Sequence, residues 1–223
     1  MCEKLPGCQI SDVKDCIGYD SRIGKKYLQP SIGFGGSCLE KDVLALIYLA
    51  ESLGCDDVAA YWQNTVNFNN NQMDYFFKKI VKAMFNNLRK KNICMLGVAF
   101  KKGTNDARNS AALYQVMKIL IEGATLKIYD PKVTREHLID MIACRYPDFK
   151  CPEERIIMCD TAYESMENCD AIVLCTEWDE FKDIDYEKAY NVMNKPAYMF
   201  DGRLMVNREK LEDIGFIVET LGF

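Results

Sequence analysis

The chain has 223 residues, of which 49% are apolar and 27% are charged, and its formal net charge is −5. This composition is typical of a soluble globular protein and excludes disordered, fibrous and membrane-embedded classes. Nucleic acid and anionic membranes are excluded as main partners, because both need a concentrated positive field and the chain has no dense run of lysine or arginine.

The sequence has no run of about 18 consecutive apolar residues and no secretory signal, so we expect a cytoplasmic protein without a membrane partner. Its eleven cysteines are scattered and form no C-x-x-C pair. We therefore expect no disulfide scaffold and no metal site, with most thiols buried as small apolar side chains. The only histidine, His137, lies far from any candidate nucleophile, which argues against hydrolases that need an imidazole base.

Helical periodicity dominates the first part of the chain. Apolar residues at spacings of three and four predict one helix beginning at Ser11, a second over 39–53 and a long third over 56–88. The apolar stripe of the third helix should face a core. A polar stretch at 67–72 interrupts that stripe, and we expect a kink or an exposed turn there.

Short β-rich runs alternate with helical runs after residue 91. Apolar strands separated by helices are typical of a parallel sheet covered on both faces. We predict an α/β fold, in which a helical central segment (1–91) precedes a Rossmann-like, doubly wound parallel sheet domain (92–223). The predicted strands are 93–100, 126–129, 156–159, 171–175, 197–200 and 216–219, and the predicted helices are 111–122, 134–144 and 185–193.

The turn after the first predicted strand has the sequence GVAFKKG at 97–103. Alanine and lysine stand where the dinucleotide pattern G-x-G-x-x-G needs its second and third glycines, so the turn does not predict a dinucleotide site. Ligands of such sheets bind at the carboxyl ends of the strands, where Lys101, Lys102 and Arg108 would suit a phosphate. The alternative is that these lysines lie on a solvated loop.

The most informative run is PSIGFGGSCLEKDV at 30–43. Its three glycines allow the backbone to approach a ligand closely, and a helix begins directly afterwards with Ser37 or Cys38 as its cap. A helix N-terminus favours the thiolate form of Cys38 and makes it a candidate nucleophile. Lys41 and Asp42 share its helical face, where an ammonium stabilises a thiolate and a carboxylate can activate water. The alternative is an incidental buried cysteine below a capping loop.

Residues 33–42, GFGGSCLEKD, closely resemble the active-site segment of the UDP-glucose/GDP-mannose dehydrogenase family. Four later runs resemble the same family in order: GVAFKKGT at 97–104, YDPK at 129–132, CTEWDEF at 175–181 and FDGR at 200–203. The resemblance implies a two-step oxidation of a sugar C6 alcohol to a carboxylate, with two NAD reduced per turnover. The implied intermediates of this oxidation are a cysteine adduct of the aldehyde and a thioester, which water hydrolyses.

The resemblance also implies roles for single residues. Cys38 would be the nucleophile, Asp42 would help to activate water, and Lys41 and Arg108 would face the NAD. Arg22 would enter the site of a neighbouring subunit, so we expect a homo-oligomer. The residues implied to bind UDP-glucose or a related nucleotide sugar are Arg22, Gln29, Ser31, Gly33, Phe34, Gly35, Phe100, Lys101 and Arg203.

The chain departs from the family in several places. The family begins with a complete NAD-binding domain and a long dimer-forming helix, and we expect this chain to start near the end of that helix. Gln29 stands where a lysine is usual, and Leu39 where an aromatic residue is common. We therefore expect that the chain alone neither binds NAD nor oxidises UDP-glucose. A nucleotide-sugar-binding module, one half of a split enzyme and a simple truncation remain as alternatives.

Overall fold

Three helices form the first part of the molecule in a computed structural model, which describes residues 2–222. They are α1 (Ile10–Gly18), α2 (Leu39–Ser52) and α3 (Asp56–Ala83). The second half of α3 packs against the sheet in the main hydrophobic core, where Phe76 and Ile80 are buried. Helix α2 packs on the first half of α3 through a small separate cluster formed by Ile47, Ala50, Ala59 and Val66.

Helix α3 continues without a break through the polar stretch at 67–72, so the predicted kink or turn is wrong. Two of the polar side chains bind a neighbouring loop, as described below, and the others are exposed, so the helix has no reason to bend there. The helix ends at Ala83 rather than at Leu88. Phe85 and Asn86 have φ angles of 58° and 56°, which no right-handed helix contains.

Six parallel strands form one sheet in the order β3-β2-β1-β4-β5-β6. This is the classic doubly wound order, and it confirms the predicted fold class. The order reverses between β1 and β4, which is the point where such sheets bind ligands. The strands are β1 (Asn92–Leu96), β2 (Thr125–Tyr129), β3 (Ile156–Met158), β4 (Ala171–Leu174), β5 (Tyr198–Asp201) and β6 (Ile217–Thr220).

Five helices accompany the sheet. The three predicted ones begin where a side-chain oxygen of Ser110, Thr134 or Asp185 accepts the N–H three residues later. Two further helices, of five and seven residues, were not predicted. The five are α4 (Ala111–Ile121), α5 (Arg135–Arg145), α6 (Ala162–Met166), α7 (Tyr186–Val192) and α8 (Arg208–Ile214).

Strand β1 ends at Leu96, four residues earlier than predicted. Gly97 has a φ of 82°, which turns the chain out of the sheet. The main hydrophobic core runs from Ile32 through α3 to the sheet, so it crosses residue 91, and a domain boundary there stays a prediction. Among residues 2–222, no helix is both long enough and apolar enough to cross a membrane.

Candidate active site

The glycine-rich loop is bound to helix α3 by side-chain amides. The Asn69 Oδ1 atom accepts the N–H of Phe34 at 2.8 Å, and Asn69 Nδ2 donates to the Phe34 carbonyl at 3.0 Å. One helical turn further on, Gln72 donates to the Ser31 carbonyl at 3.1 Å. Sequence analysis missed both residues. The available signal was their spacing of three, which places them on one face of the helix.

The loop glycines are needed because the loop lies against another part of the chain. A side chain on Gly35 would collide with the backbone of Asn109, and one on Gly36 would lie 3.0 Å from the Phe100 ring. The Gly36 N–H also donates to the Arg108 carbonyl at 3.1 Å. The loop is therefore attached to the segment after β1, and the Phe100 ring and the Arg108 backbone lie next to it.

A buried side chain anchors the loop at the carboxyl edge of the sheet. Ile32 is 1% exposed. A side chain on Gly202, directly after β5, would collide with Ile32 and would approach the carbonyl of Leu174, the last residue of β4. The loop therefore meets the ends of β4 and β5, beside the position where the strand order reverses.

Cys38 caps helix α2, as predicted from the sequence. Its thiol makes no capping hydrogen bond and is exposed, so the alternative of an incidental buried cysteine is wrong. The Asp42 N–H donates to the Cys38 carbonyl at 3.0 Å, and the Lys41 ammonium lies 4.0 Å from the Asp42 carboxylate. The structure therefore brings the predicted nucleophile, cation and carboxylate into one exposed helical turn.

The other thiols divide into buried and exposed groups, so the expectation that most are buried is only partly met. Five cysteines are buried, and burial raises the pKa of Cys169 and Cys175 to about 12. These two thiols stay protonated at neutral pH. Three others besides Cys38 are exposed: Cys16, Cys55 and Cys144. In residues 2–222, no group of three or more histidine, cysteine, aspartate or glutamate side chains could hold a metal ion.

Two predicted substrate cations lie at the carboxyl edge of the sheet. Arg203, after β5, pairs with Glu177, after β4, and its Nε has no hydrogen-bond partner in the described chain. The Lys101 ammonium lies 5.3 Å from the centre of the Phe100 ring and forms no ion pair with residues 2–222. Both side chains could therefore add a ligand contact.

Other predicted cations are already paired. Lys102 lies 2.7 Å from the carboxylate of Asp179, which disfavours it as a phosphate contact. Arg108 donates two hydrogen bonds to Asp106, at 3.0 and 2.9 Å, and these lower the pKa of the Asp106 carboxyl.

Two predicted substrate residues lie outside the loop held by Asn69. Arg22 is 88% exposed and pairs with Asp20 in its own turn. The structure does not bring it to Cys38, so its role at a neighbouring subunit stays a prediction. Gln29 is exposed and lines a cleft of about 440 Å³ with Lys14 and Arg208.

The turn after β1 does not fit NAD. The N–H groups of Val98 and Ala99 donate to the Asp130 carboxylate at 2.8 and 3.0 Å, whereas a dinucleotide turn needs free N–H groups for the pyrophosphate. A side chain on Gly97 would collide with Thr176. Lys41 and Arg108 are exposed cations, and the turn after β1 provides no such cradle beside them.

The chain is an α/β protein of Rossmann topology. Its glycine-rich loop holds an exposed cysteine beside the edge of the sheet at which such folds bind ligands. The model of the UDP-glucose/GDP-mannose dehydrogenase family matches this chain twice, as its central domain over residues 1–71 and as its UDP binding domain over 94–208. The chain belongs to the UDP-glucose/GDP-mannose dehydrogenase family.

Curated relatives agree with this assignment. The UDP-glucose 6-dehydrogenase of Drosophila melanogaster is 45% identical over 226 residues, which cover 100% of this chain and 47% of the relative. Those of Mus musculus and Caenorhabditis elegans are 41% and 42% identical, and 100% of this chain matches 45% and 46% of their lengths. The chain thus spans about half the length of the curated relatives it matches.

Solved structures share the fold. The UDP-glucose dehydrogenase from Pyrobaculum islandicum superimposes with a TM-score of 0.73 at 24% identity, over 97% of this chain and 44% of that one. The UDP-D-ManNAc dehydrogenase from Pyrococcus horikoshii gives a TM-score of 0.71 at 24% identity, over the same shares. At this identity the similarity shows the fold alone.

Proposed function

We propose that this chain forms the nucleotide-sugar half of a UDP-glucose 6-dehydrogenase site and supplies its nucleophile, Cys38. The observation that carries the proposal is the attachment of the loop over residues 31–36 to α3 and to the segment after β1. This attachment holds an exposed thiol beside the carboxyl edge of a Rossmann-type sheet. Family membership and the names of the relatives support UDP-glucose or a related nucleotide sugar as the ligand.

The chemistry assigned to the chain is addition and hydrolysis. The Cys38 sulfur adds to the C6 aldehyde carbon, and the carbonyl oxygen takes up a proton to give a thiohemiacetal. When that carbon has been oxidised to a thioester, water attacks it and releases the carboxylate and the thiol, with Asp42 orienting the water. The resemblance implies NAD as the hydride acceptor. Because the described residues do not cradle it, we assign no redox step to this chain.

The cations at the sheet edge suit the diphosphate of the ligand. Lys101 has an unpaired ammonium beside Phe100, and Arg203 has an unpartnered Nε despite its pairing with Glu177. A few placed cations are what an acidic chain needs to bind a diphosphate. The loop residues Ser31, Gly33, Phe34 and Gly35 would then enclose the sugar next to Cys38.

Isothermal titration calorimetry with UDP-glucose and GDP-mannose, with and without NAD, tests the proposal. We expect the chain to bind UDP-glucose more tightly than GDP-mannose, with no NADH formed. Replacing Lys101 by alanine should weaken UDP-glucose binding by about tenfold, the loss of one charge-assisted contact of ~1.4 kcal/mol. The exposed Lys150 gives the matched control, since K150A should leave the affinity unchanged.

Absence of UDP-glucose binding by the folded chain would refute the proposal. NADH formation by the chain alone would contradict the proposal that this chain performs only addition and hydrolysis, because the turn after β1 offers no cradle for a dinucleotide. Binding without turnover supports it.

A further inference from the structure

Two contacts tie the nucleophile to the sheet domain, one on each side of Cys38. Two residues before it, the Gly36 N–H donates to the Arg108 carbonyl at 3.1 Å. Two residues after it, Glu40 Oε1 accepts a hydrogen bond from Arg145 Nη2 at 2.8 Å. The first contact belongs to the loop, and the second belongs to the first turn of α2. The position of Cys38 therefore depends on both.

Helix α2 has little else to hold its first turn. Its buried residues, Ile47 and Ala50, lie two to three turns further along and pack only in the small cluster with α3. Leu39 and Leu44 are exposed. In the part of the chain that the structure describes, the Glu40–Arg145 pair is the only ion pair between α2 and the sheet domain.

The partner of Glu40 is itself well anchored. Arg145 is the last residue of α5, and Leu138 and Ile142 bury that helix in the main core. The Glu40 side chain is 16% exposed and the Arg145 side chain 38% exposed, so solvent screens this pair in part. Beside the pair, an open cleft of about 320 Å³ is lined by Ser37, Arg108, Met141 and Cys144. The ion pair therefore connects the end of α5 to the first turn of α2.

We propose that Arg145 is a positioning residue that acts through Glu40 to keep the first turn of α2 intact around the Cys38 sulfur. The free N–H groups and the dipole of a helix stabilise an anion only within the first turn, and helix ends fray readily. Loss of the ion pair would loosen that turn and disturb the arrangement of its N–H groups around Cys38. The inference rests on the proposed role of Cys38 as the nucleophile.

The alkylation rate of Cys38 tests the inference. Iodoacetamide is applied at pH 7 to the full chain, and mass spectrometry follows each thiol. We expect Arg145→Ala and Glu40→Ala each to slow Cys38 by about two- to fivefold, the range that a helix N-terminus contributes to an anion. The double variant should be no slower than either single variant, because both remove the same contact. Arg145→Lys keeps a cation and should retain most of the rate.

The chain offers two matched controls. Cys55 is also exposed and stands at the start of a helix, α3, so its rate in the same sample should not change. Arg135 lies at the other end of α5 and pairs with Glu153 instead of α2, so Arg135→Ala should leave the Cys38 rate unchanged. Slowing of Cys55, slowing by Arg135→Ala, or additive effects of the two single variants would each overturn the inference.

Failure of this inference can be told apart from failure of the proposed function, because the alkylation assay contains no sugar nucleotide. A wild-type chain that does not bind UDP-glucose refutes the proposed function and leaves the alkylation comparison readable. An unchanged Cys38 rate in Arg145→Ala overturns the positioning role and leaves the binding measurement standing.

Discussion

At the scale of single residues, Asn69 does the most to set the shape of the site. Its amide makes both hydrogen bonds to the backbone of Phe34, four residues before the nucleophile. Its side chain is half-buried, and an alanine there would leave the Phe34 N–H and carbonyl unpaired. The loop would then lose its main attachment to α3.

We predict that Asn69→Ala lowers the free energy of unfolding by about 1–3 kcal/mol, the cost of leaving a partly buried polar group without its partner. Urea denaturation measures the change. The exposed neighbour Asn70 gives the control, since Asn70→Ala should change stability by less than about 0.5 kcal/mol. Equal effects of the two substitutions would show that the Phe34 contacts do not stabilise the loop.

Asp106 gives the site a pH dependence. The hydrogen bonds from Arg108 are the largest cause that lowers the pKa of its carboxyl, and burial opposes them. A carboxyl with a lowered pKa in the folded state stabilises the protein above its ordinary pKa of about 4. That stabilisation is lost as the pH falls through the lowered value.

We therefore predict that Asp106→Asn costs about 0.5–1 kcal/mol at pH 7, as expected for a pair whose arginine is half-exposed, and progressively less as the pH falls through the lowered pKa of the carboxyl. Urea denaturation at a series of pH values measures the difference between wild type and variant. A difference that stays constant from pH 7 to pH 2 would mean that the pairing with Arg108 contributes no stability.

At the scale of elements, the continuity of α3 is the feature that joins the two parts of the molecule. Its first half packs on α2, its middle carries Asn69 and Gln72, and its second half enters the main core. The pattern of apolar residues alone predicts a break in the helix at its polar middle. The structure shows that this middle faces a loop that needs hydrogen-bond donors and acceptors.

Proline at the exposed position 71 tests this continuity. In a helix interior proline costs about 3 kcal/mol or more, whereas an exposed turn would tolerate it. We predict that Asn71→Pro lowers the melting temperature strongly and that Asn71→Ala leaves it unchanged or raises it slightly. Differential scanning calorimetry makes the comparison. A proline variant as stable as the alanine variant would argue for a flexible turn.

At the scale of the whole molecule, the paired helices α2 and α3 expose several large apolar side chains. Tyr48 is 74% exposed, Leu53 70% and Phe68 75%, and Leu49 and Tyr61 are also exposed. Exposed apolar residues in such number mark surfaces that another molecule covers. The predicted homo-oligomer would use this surface. The apolar stripe predicted along α3 contributes only its first half, since its second half is buried in the core.

We predict that the chain self-associates and that Leu49→Asp combined with Leu53→Asp shifts it towards monomer, because a charge at a covered apolar position is costly. Sedimentation velocity over a range of concentrations measures the shift. Lys150→Ala, in the exposed segment between α5 and β3, serves as the control and should leave the distribution unchanged. A wild-type chain that is monomeric at all concentrations would contradict the prediction.

Local patterns of residues were enough to predict most elements of this protein. Apolar runs between helical segments predicted six strands, and the glycine-rich run followed by an amphipathic segment predicted that Cys38 begins a helix. These features could be predicted because their signals lie in residues that are adjacent or one turn apart. The ends of β1 and α3 were misplaced, because a tertiary contact or an unusual φ angle ended each one.

The contacts between groups far apart in the chain could not be predicted in this way. Asn69 bonds to Phe34 across 35 positions, Val98 bonds to Asp130 across 32, and Glu40 pairs with Arg145 across 105. No local pattern encodes such a pairing, because each partner alone is an ordinary polar side chain or an ordinary backbone N–H group. The partners are determined by how the helices pack on the sheet, and that packing is a property of the whole chain.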